Sequence, residues 1–268
     1  MVSAFVGMLG IGYLLWLLAG LYVYVSLIRQ ISSRALTSLE AAPKTFGLPD
    51  TVAAAVLISF LLMIVISSFF SQPTELNTRD LAANLILILA VVLILIAFLR
   101  FRGFDLDALG GFSKLGILRA LSTGAVLLLF AYPLIGLADA ITQWLLGSGS
   151  SKQSIIELFN GSQTIGQRML VIVLAVAVAP MAEEFMFRFF IYGVLKRYFG
   201  RFIGLAVNAL LFAAVHTHLP SFAPLFVLGA CFTLAYEWSG SILVSMTMHC
   251  LFNSLTLTAL AFPQLSSQ

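Results

Sequence analysis

Charge is scarce in this chain. Asp, Glu, Lys and Arg make up 9% of its 268 residues and hydrophobic residues 61%, against about 25% charged in ordinary soluble domains. That composition excludes a soluble globular domain and leaves a polytopic membrane protein. Cysteine is nearly missing as well. Cys231 and Cys250 both lie in apolar segments, which argues against a disulfide framework and for packing roles. The N-terminal "MVSAFVGMLGIGYLLWLLAG" lacks a basic flank, and its apolar stretch is too long for a signal-peptide core, so an uncleaved transmembrane helix is expected there. No internal repeat or low-complexity domain is visible, and the paired broken-helix symmetry of a secondary transporter is missing.

What the chain does have is long apolar runs. A helical crossing needs about 20 such residues, and eight candidates run at 4–28, 51–70, 81–99, 115–138, 168–192, 202–218, 222–238 and 241–261. The expected fold is an all-α, polytopic transmembrane helix bundle of about eight spans. Four spans and an external loop at 139–167 fall in residues 1–165, and four more in residues 166–262. Ten of the fourteen Lys and Arg residues fall after spans one, three and five: Arg29 to Lys44, Arg100 to Arg119, and Lys196 to Arg201. Cytoplasmic loops carry such an excess, so both chain ends are expected outside. The net charge of +3 follows from this topology and does not indicate nucleic acid.

Against that background, "PMAEEFMFRFF" at residues 180–190 is anomalous. Each ionisable group inside a span costs at least a few kcal/mol, roughly, and faces a bundle interior or a watery cavity. Glu184 and Arg188 stand at i and i+4 with the acid N-terminal, the better orientation for a salt bridge, so they can neutralise each other. Glu183 has Phe187 at i+4 and no such partner. Pro180, one turn earlier, lacks a backbone donor and is expected to free the carbonyl of Val176 and kink the helix.

Two of the three histidines stand on polar stripes. Asn208, Phe212 and His216 share one face of the sixth span, and Ser245, His249 and Asn253 one face of the eighth. His218 points away from His216 and reads as interfacial, as do Glu237, Trp238 and Asp139 at span ends. A single His-x3-Asn on a buried helix is more often an interhelical hydrogen bond than a catalytic pair. Three such motifs together bring a carboxylate, two imidazoles and an amide into an otherwise apolar interior, and that is the composition of a hydrolytic site.

A carboxylate removed from water holds a proton more readily, which suits it to general base work. Glu183 can then deprotonate a water shared with His216, while His249 and Asn253 donate to a developing oxyanion. A zinc alternative remains open, with Glu183, His216 and His249 as ligands; no His-Glu-x2-His core supports it, so no cofactor is assigned. Gly-x-Ser-x-Gly and a transmembrane aspartate pair are also missing. At about 1.5 Å per residue, Glu183 lies about 20 Å from Lys196 and His216 about 22 Å from Arg201, depths that agree with one another.

The ordered triple "EEFMFR" from Glu183 to Arg188, "FAAVH" from Phe212 to His216 and "HCLFN" from His249 to Asn253 resembles the CAAX protease and bacteriocin-processing family, intramembrane endopeptidases similar to the Ras-converting CAAX prenyl protease. The likeness spans roughly residues 166–260. It implies Glu183 as general base, His216 as its partner on the water, His249 and Asn253 as the oxyanion hole, and Glu184, Arg188 and Phe212 as support. It further implies a multi-pass protein of the bacterial cytoplasmic membrane acting on a hydrophobic or lipidated peptide or protein in the lipid bilayer. A non-catalytic scaffold or bacteriocin-immunity protein is the alternative.

Overall fold

The computed structural model describes residues 2–37, 45–70, 78–147 and 164–261, and within them the chain is helical with no strand. Backbone groups in hydrocarbon have no water to bond, so apolar segments are stable there as internally satisfied helices. The first half holds α1 (Val2–Thr37), α2 (Leu48–Phe70), α3 (Thr78–Phe101), a short α4 (Leu106–Gly110) and α5 (Ile117–Leu146). The second holds α6 (165–199), α7 (201–214), α8 (Phe222–Ser239) and α9 (Ile242–Ala261).

The chain reverses between α6 and α7 at Gly200, whose φ of 78° and ψ of 172° suit a residue without a Cβ. A Cβ on Gly204 would lie 2.9 Å from the Lys196 nitrogen, so the start of α7 folds back directly against α6. By length and apolarity, seven stretches among the described residues qualify as spans, with Ile165–Ala214 counted as one. The reversal divides that stretch into two rods. The second, α7, is only about 21 Å long, too short to cross a core of about 30 Å by itself.

Two sequence expectations need correction. Residues 139–146 belong to α5 and are not loop, because the apolar pattern continues past the Asp139 and Gln143 pair, which bond to each other on the exposed face; residues 148–163 lie outside the described residues. The expected span at 202–218 stops at Ala214, since Thr217 takes a positive φ of 52° and a short turn at Leu219–Ser221 leads into α8. Before α5 lies α4, which Asp105 caps by accepting from the Asp107 and Ala108 amides and Gly111 ends in the left-handed region.

The Lys- and Arg-rich connections meet at one end of the bundle. Arg34 donates to the Trp238 carbonyl at 2.7 Å, Arg201 to the Ile31 carbonyl at 3.1 Å, and Tyr236 to the Leu109 carbonyl at 2.9 Å. Glu237, expected as a lone interfacial acid, joins Lys196 at 2.7 Å, Arg201 at 3.0 Å and the Tyr192 hydroxyl at 3.1 Å. It fastens α8 to the α6–α7 reversal. At the opposite end, residues 215–221 connect α7 to α8.

Helix α5 runs between α1 and the C-terminal helices. Small residues permit this: Gly20 of α1 faces the Phe130 carbonyl, and Gly124 faces Thr247 and Val244 of α9. Pro133 inside α5 cannot donate to the Leu129 carbonyl four residues earlier; the Trp16 indole of α1 donates to that carbonyl instead, at 3.0 Å.

Candidate active site

The site begins with how Pro180 is accommodated in α6. Residues Leu174–Val178 widen into a π-turn, and the Ala179 amide donates to the Leu174 carbonyl five residues back. In that register the next donor, residue 180, would serve the Ala175 carbonyl, and proline has none to give. Asn253 Nδ2 on α9 donates to Ala175 at 2.8 Å. The proline therefore does free a carbonyl, but the π-turn makes it that of Ala175, not Val176, and the freed acceptor ties the Asn253 amide across the interhelical space. Such π-turns are rare and recur at functional sites. A second one follows at Phe185–Ile191.

Between the two π-turns stand the acids. Glu184 and Arg188 are both fully buried and pair at 2.9 Å, as their i, i+4 spacing anticipates. The same Glu184 oxygen also meets His249 Nδ1 at 2.9 Å, and Arg188 Nη2 donates to the Gly229 carbonyl of α8 at 3.2 Å. The Arg188 guanidinium lies 4.3 Å from the Phe212 ring centroid and 5.1 Å from that of Phe232, within cation–π range. A Cβ on Gly229 would come within 3.0 Å of Phe212, so this glycine lets α8 approach. Glu184 and Arg188 thus form more than a self-neutralising pair: they orient an imidazole.

That contact puts a hydrogen on one ring nitrogen. A carboxylate paired with arginine only accepts, so His249 Nδ1 carries a hydrogen and Nε2 is left facing Glu183, 3.8 Å from its Oε2. His216 Nδ1 lies 2.7 Å from the Phe212 carbonyl; carbonyls accept only, so His216 donates from Nδ1 and its Nε2 is left for the cavity. Glu183, His216, His249 and Asn253 line one cavity of about 240 Å³ together with apolar side chains such as Leu228 and Phe252. Glu183 retains 23% of its side-chain exposure, while Glu184 has none. Phe212 packs at 4.8 Å from the His216 ring and 5.6 Å from that of His249, spacing the two imidazoles.

Several polar groups on the expected stripes stay outside the cavity. Asn208 donates to Thr233 at 3.2 Å and joins α7 to α8. Ser245 bonds its own helix at Ile242, and His218 Nδ1 meets Ser221 at 2.6 Å beyond the helix end. The zinc alternative does not fit: among the described residues no three His, Cys, Asp or Glu side chains are grouped to hold a metal ion. The sequence did not reveal the parts made by backbone, namely the Ala175 and Gly229 carbonyls, nor Phe232, which lies 4.9 Å from the His249 ring. The only signals for them are the proline five residues after Ala175 and a glycine in an apolar span.

Residues 165–255 match the family described as Type II CAAX prenyl endopeptidase Rce1-like. All three motifs fall inside the matched stretch. No curated protein and no solved structure matches the chain.

Proposed function

We propose that this chain, which belongs through residues 165–255 to the type II CAAX prenyl endopeptidase family, hydrolyses a peptide bond in a hydrophobic or lipidated substrate inside the membrane. The observation that carries this reading is the set of Glu183, His216, His249 and Asn253 around one cavity, with His249 held from behind by the buried Glu184 and Arg188.

The chemistry follows from which atoms accept and which donate. A water in the cavity offers two hydrogens, and Glu183 with His216 Nε2 supplies two acceptors, so its lone pair is left aimed at a substrate carbonyl. Glu183 takes a proton as the oxygen–carbon bond forms. The new oxyanion receives the second Nδ2 hydrogen of Asn253 and the Nε2 hydrogen of His249. That donation requires His249 to carry protons on both nitrogens, a cation that Glu184 directly faces. The tetrahedral intermediate collapses as the carbon–nitrogen bond breaks and the proton on Glu183 passes to the leaving amine. General base and oxyanion groups contribute about 10²–10⁴-fold and about 10²–10³-fold respectively.

The test is cleavage of prenylated and unprenylated hydrophobic peptides by purified protein in detergent or lipid. Glu183→Gln is expected to reduce turnover at least about a hundredfold, and His249→Ala comparably. Cleavage that survives both substitutions would sink the assignment. A cellular phenotype that persists undiminished in Glu183→Gln would instead favour a non-catalytic scaffold.

A further inference from the structure

The helices around the cavity are sealed on the side of the catalytic set toward the basic end, and α6 and α9 are partly exposed on the other. On α6, Ala175 and Ala179 line the cavity on the side of Glu183 away from the basic end and are partly exposed. Toward the basic end, Phe187, Phe189, Phe190, Ile191 and Tyr192 are each exposed by 1% or less. On α9, which starts at the basic end, Ile242, Val244, Ser245 and Met248 are fully buried before His249, whereas Phe252, Asn253 and Thr256 beyond it line the cavity and are partly exposed. On α8 the cavity-lining Leu225 and Leu228 are themselves buried, and Phe232 and Ala235 toward the basic end are fully buried.

A substrate coming from the basic end would have to cross about 13 Å of close-packed side chains between Tyr192 and Glu183. It would also have to part the Glu237 cluster with Lys196, Arg201 and Tyr192. Packed cores do not open continuously for such a passage. Among the described residues no Lys or Arg lines the cavity, so no permanently charged side chain there pairs with the carboxylate of a chain end. Its volume of about 240 Å³ equals that of roughly eight waters, room for one or two apolar side chains beside the scissile bond.

The geometry points to entry from the end opposite the basic loops. By the basic-residue asymmetry this is the extracytoplasmic face, and the substrate is an internal apolar segment of a protein presented there, not a cytoplasmic C-terminus. The identification of the occupant as a substrate rests on the proposed endopeptidase activity; the direction of access does not.

The two are tested separately with the full-length protein in sealed vesicles of both orientations. In a Cys231→Ala, Cys250→Ala background, single cysteines are placed at Thr256 (Thr256→Cys), in the cavity, and at Arg197 (Arg197→Cys), exposed at the basic end. A charged, membrane-impermeant maleimide is expected to label Thr256→Cys at least tenfold faster in the orientation where Arg197→Cys is protected. Equal or faster labelling from the Arg197 side overturns the inference, as does labelling only by a lipid-soluble maleimide, which would mean entry from the bilayer alone. An apolar peptide with a blocked C-terminus and an impermeant charged tag is then offered from either side to the unsubstituted protein. Cleavage from the Thr256-accessible side supports the inference, and cleavage only from the other side overturns it. With one-sided labelling intact and no cleavage from either side, the access route stands and the assignment of its occupant as a substrate is overturned along with the endopeptidase reading.

Discussion

Glu183 and Glu184 are separated by one peptide bond, yet 23% of the Glu183 side chain is accessible and none of Glu184 is. That difference assigns opposite consequences to the same chemical change. Glu184→Gln removes the charge that Arg188 and His249 both bond, leaving a guanidinium uncompensated at full burial; breaking one partner of a buried pair costs about 3–5 kcal/mol. A marked fall in thermal stability in detergent is expected, with cleavage lost as well. Glu183→Gln removes a charge that, among the described residues, no ion pair with Lys or Arg holds, so its melting temperature should stay unchanged or rise while cleavage is lost. Equal destabilisation by both would contradict the division of labour. The sequence already shows this asymmetry in the i+4 residues, Arg188 for one glutamate and Phe187 for the other. It does not show that His249 closes on Glu184, because that contact spans 65 residues and no local spacing encodes it.

At the scale of the element, α6 is the informative helix, and its two π-turns are what a period-3.6 reading cannot see. Spacing alone places the freed carbonyl four residues before Pro180; the widened turn moves it to Ala175. Replacing Pro180 with alanine would supply the missing donor, so the helix could satisfy Ala175 by itself and Asn253 would lose its anchor. Pro180→Ala is therefore expected to be at least as stable as the parent, since proline in a helix interior is about 3 kcal/mol less favourable than alanine, and yet to cleave on the order of tenfold more slowly. If the loss runs through Asn253, the same change made in an Asn253→Ala background should produce no further slowing, which a double-mutant cycle on turnover measures. Other boundaries were misjudged for similarly local reasons. The turn after α7 depends on a positive φ at Thr217, a residue that carries no turn signal, and α5 continues to Leu146 because its last residues remain apolar.

Taken as a whole, the molecule does not divide where its motifs do. That the chain is a bundle of long apolar helices was legible, because hydrophobic length acts through the bilayer and needs no partner, although eight spans were expected and seven stretches among the described residues qualify. Their mutual packing was not, because it depends on shape. Gly124 of α5 admits Thr247 of α9, Tyr24 of α1 donates to the Leu127 carbonyl of α5, and Tyr236 of α8 donates to Leu109. The helices that carry the motifs thus lean on α5, which lies outside the residues that match the family. Residues 164–268 produced alone are expected to aggregate on extraction, and co-production with residues 1–163 as a separate chain to restore a monodisperse, cleaving complex. Size-exclusion chromatography of the two preparations distinguishes this from an autonomous C-terminal unit, which would elute as a single species without its partner.

The hydrogen bond between Glu184 and His249 also sets a schedule for biogenesis. Helices enter the membrane in the order of their synthesis, and α9 is the last of those described here. Until it arrives, α6 carries both glutamates beside an arginine with only its own chain to neutralise them, and His249 and Asn253 are not yet in place. A nascent chain halted after α8 would therefore sit in the bilayer as an inert precursor. On the proposed reading, proteolytic competence would appear only when α9 docks, so quality control of insertion and activation would become the same event.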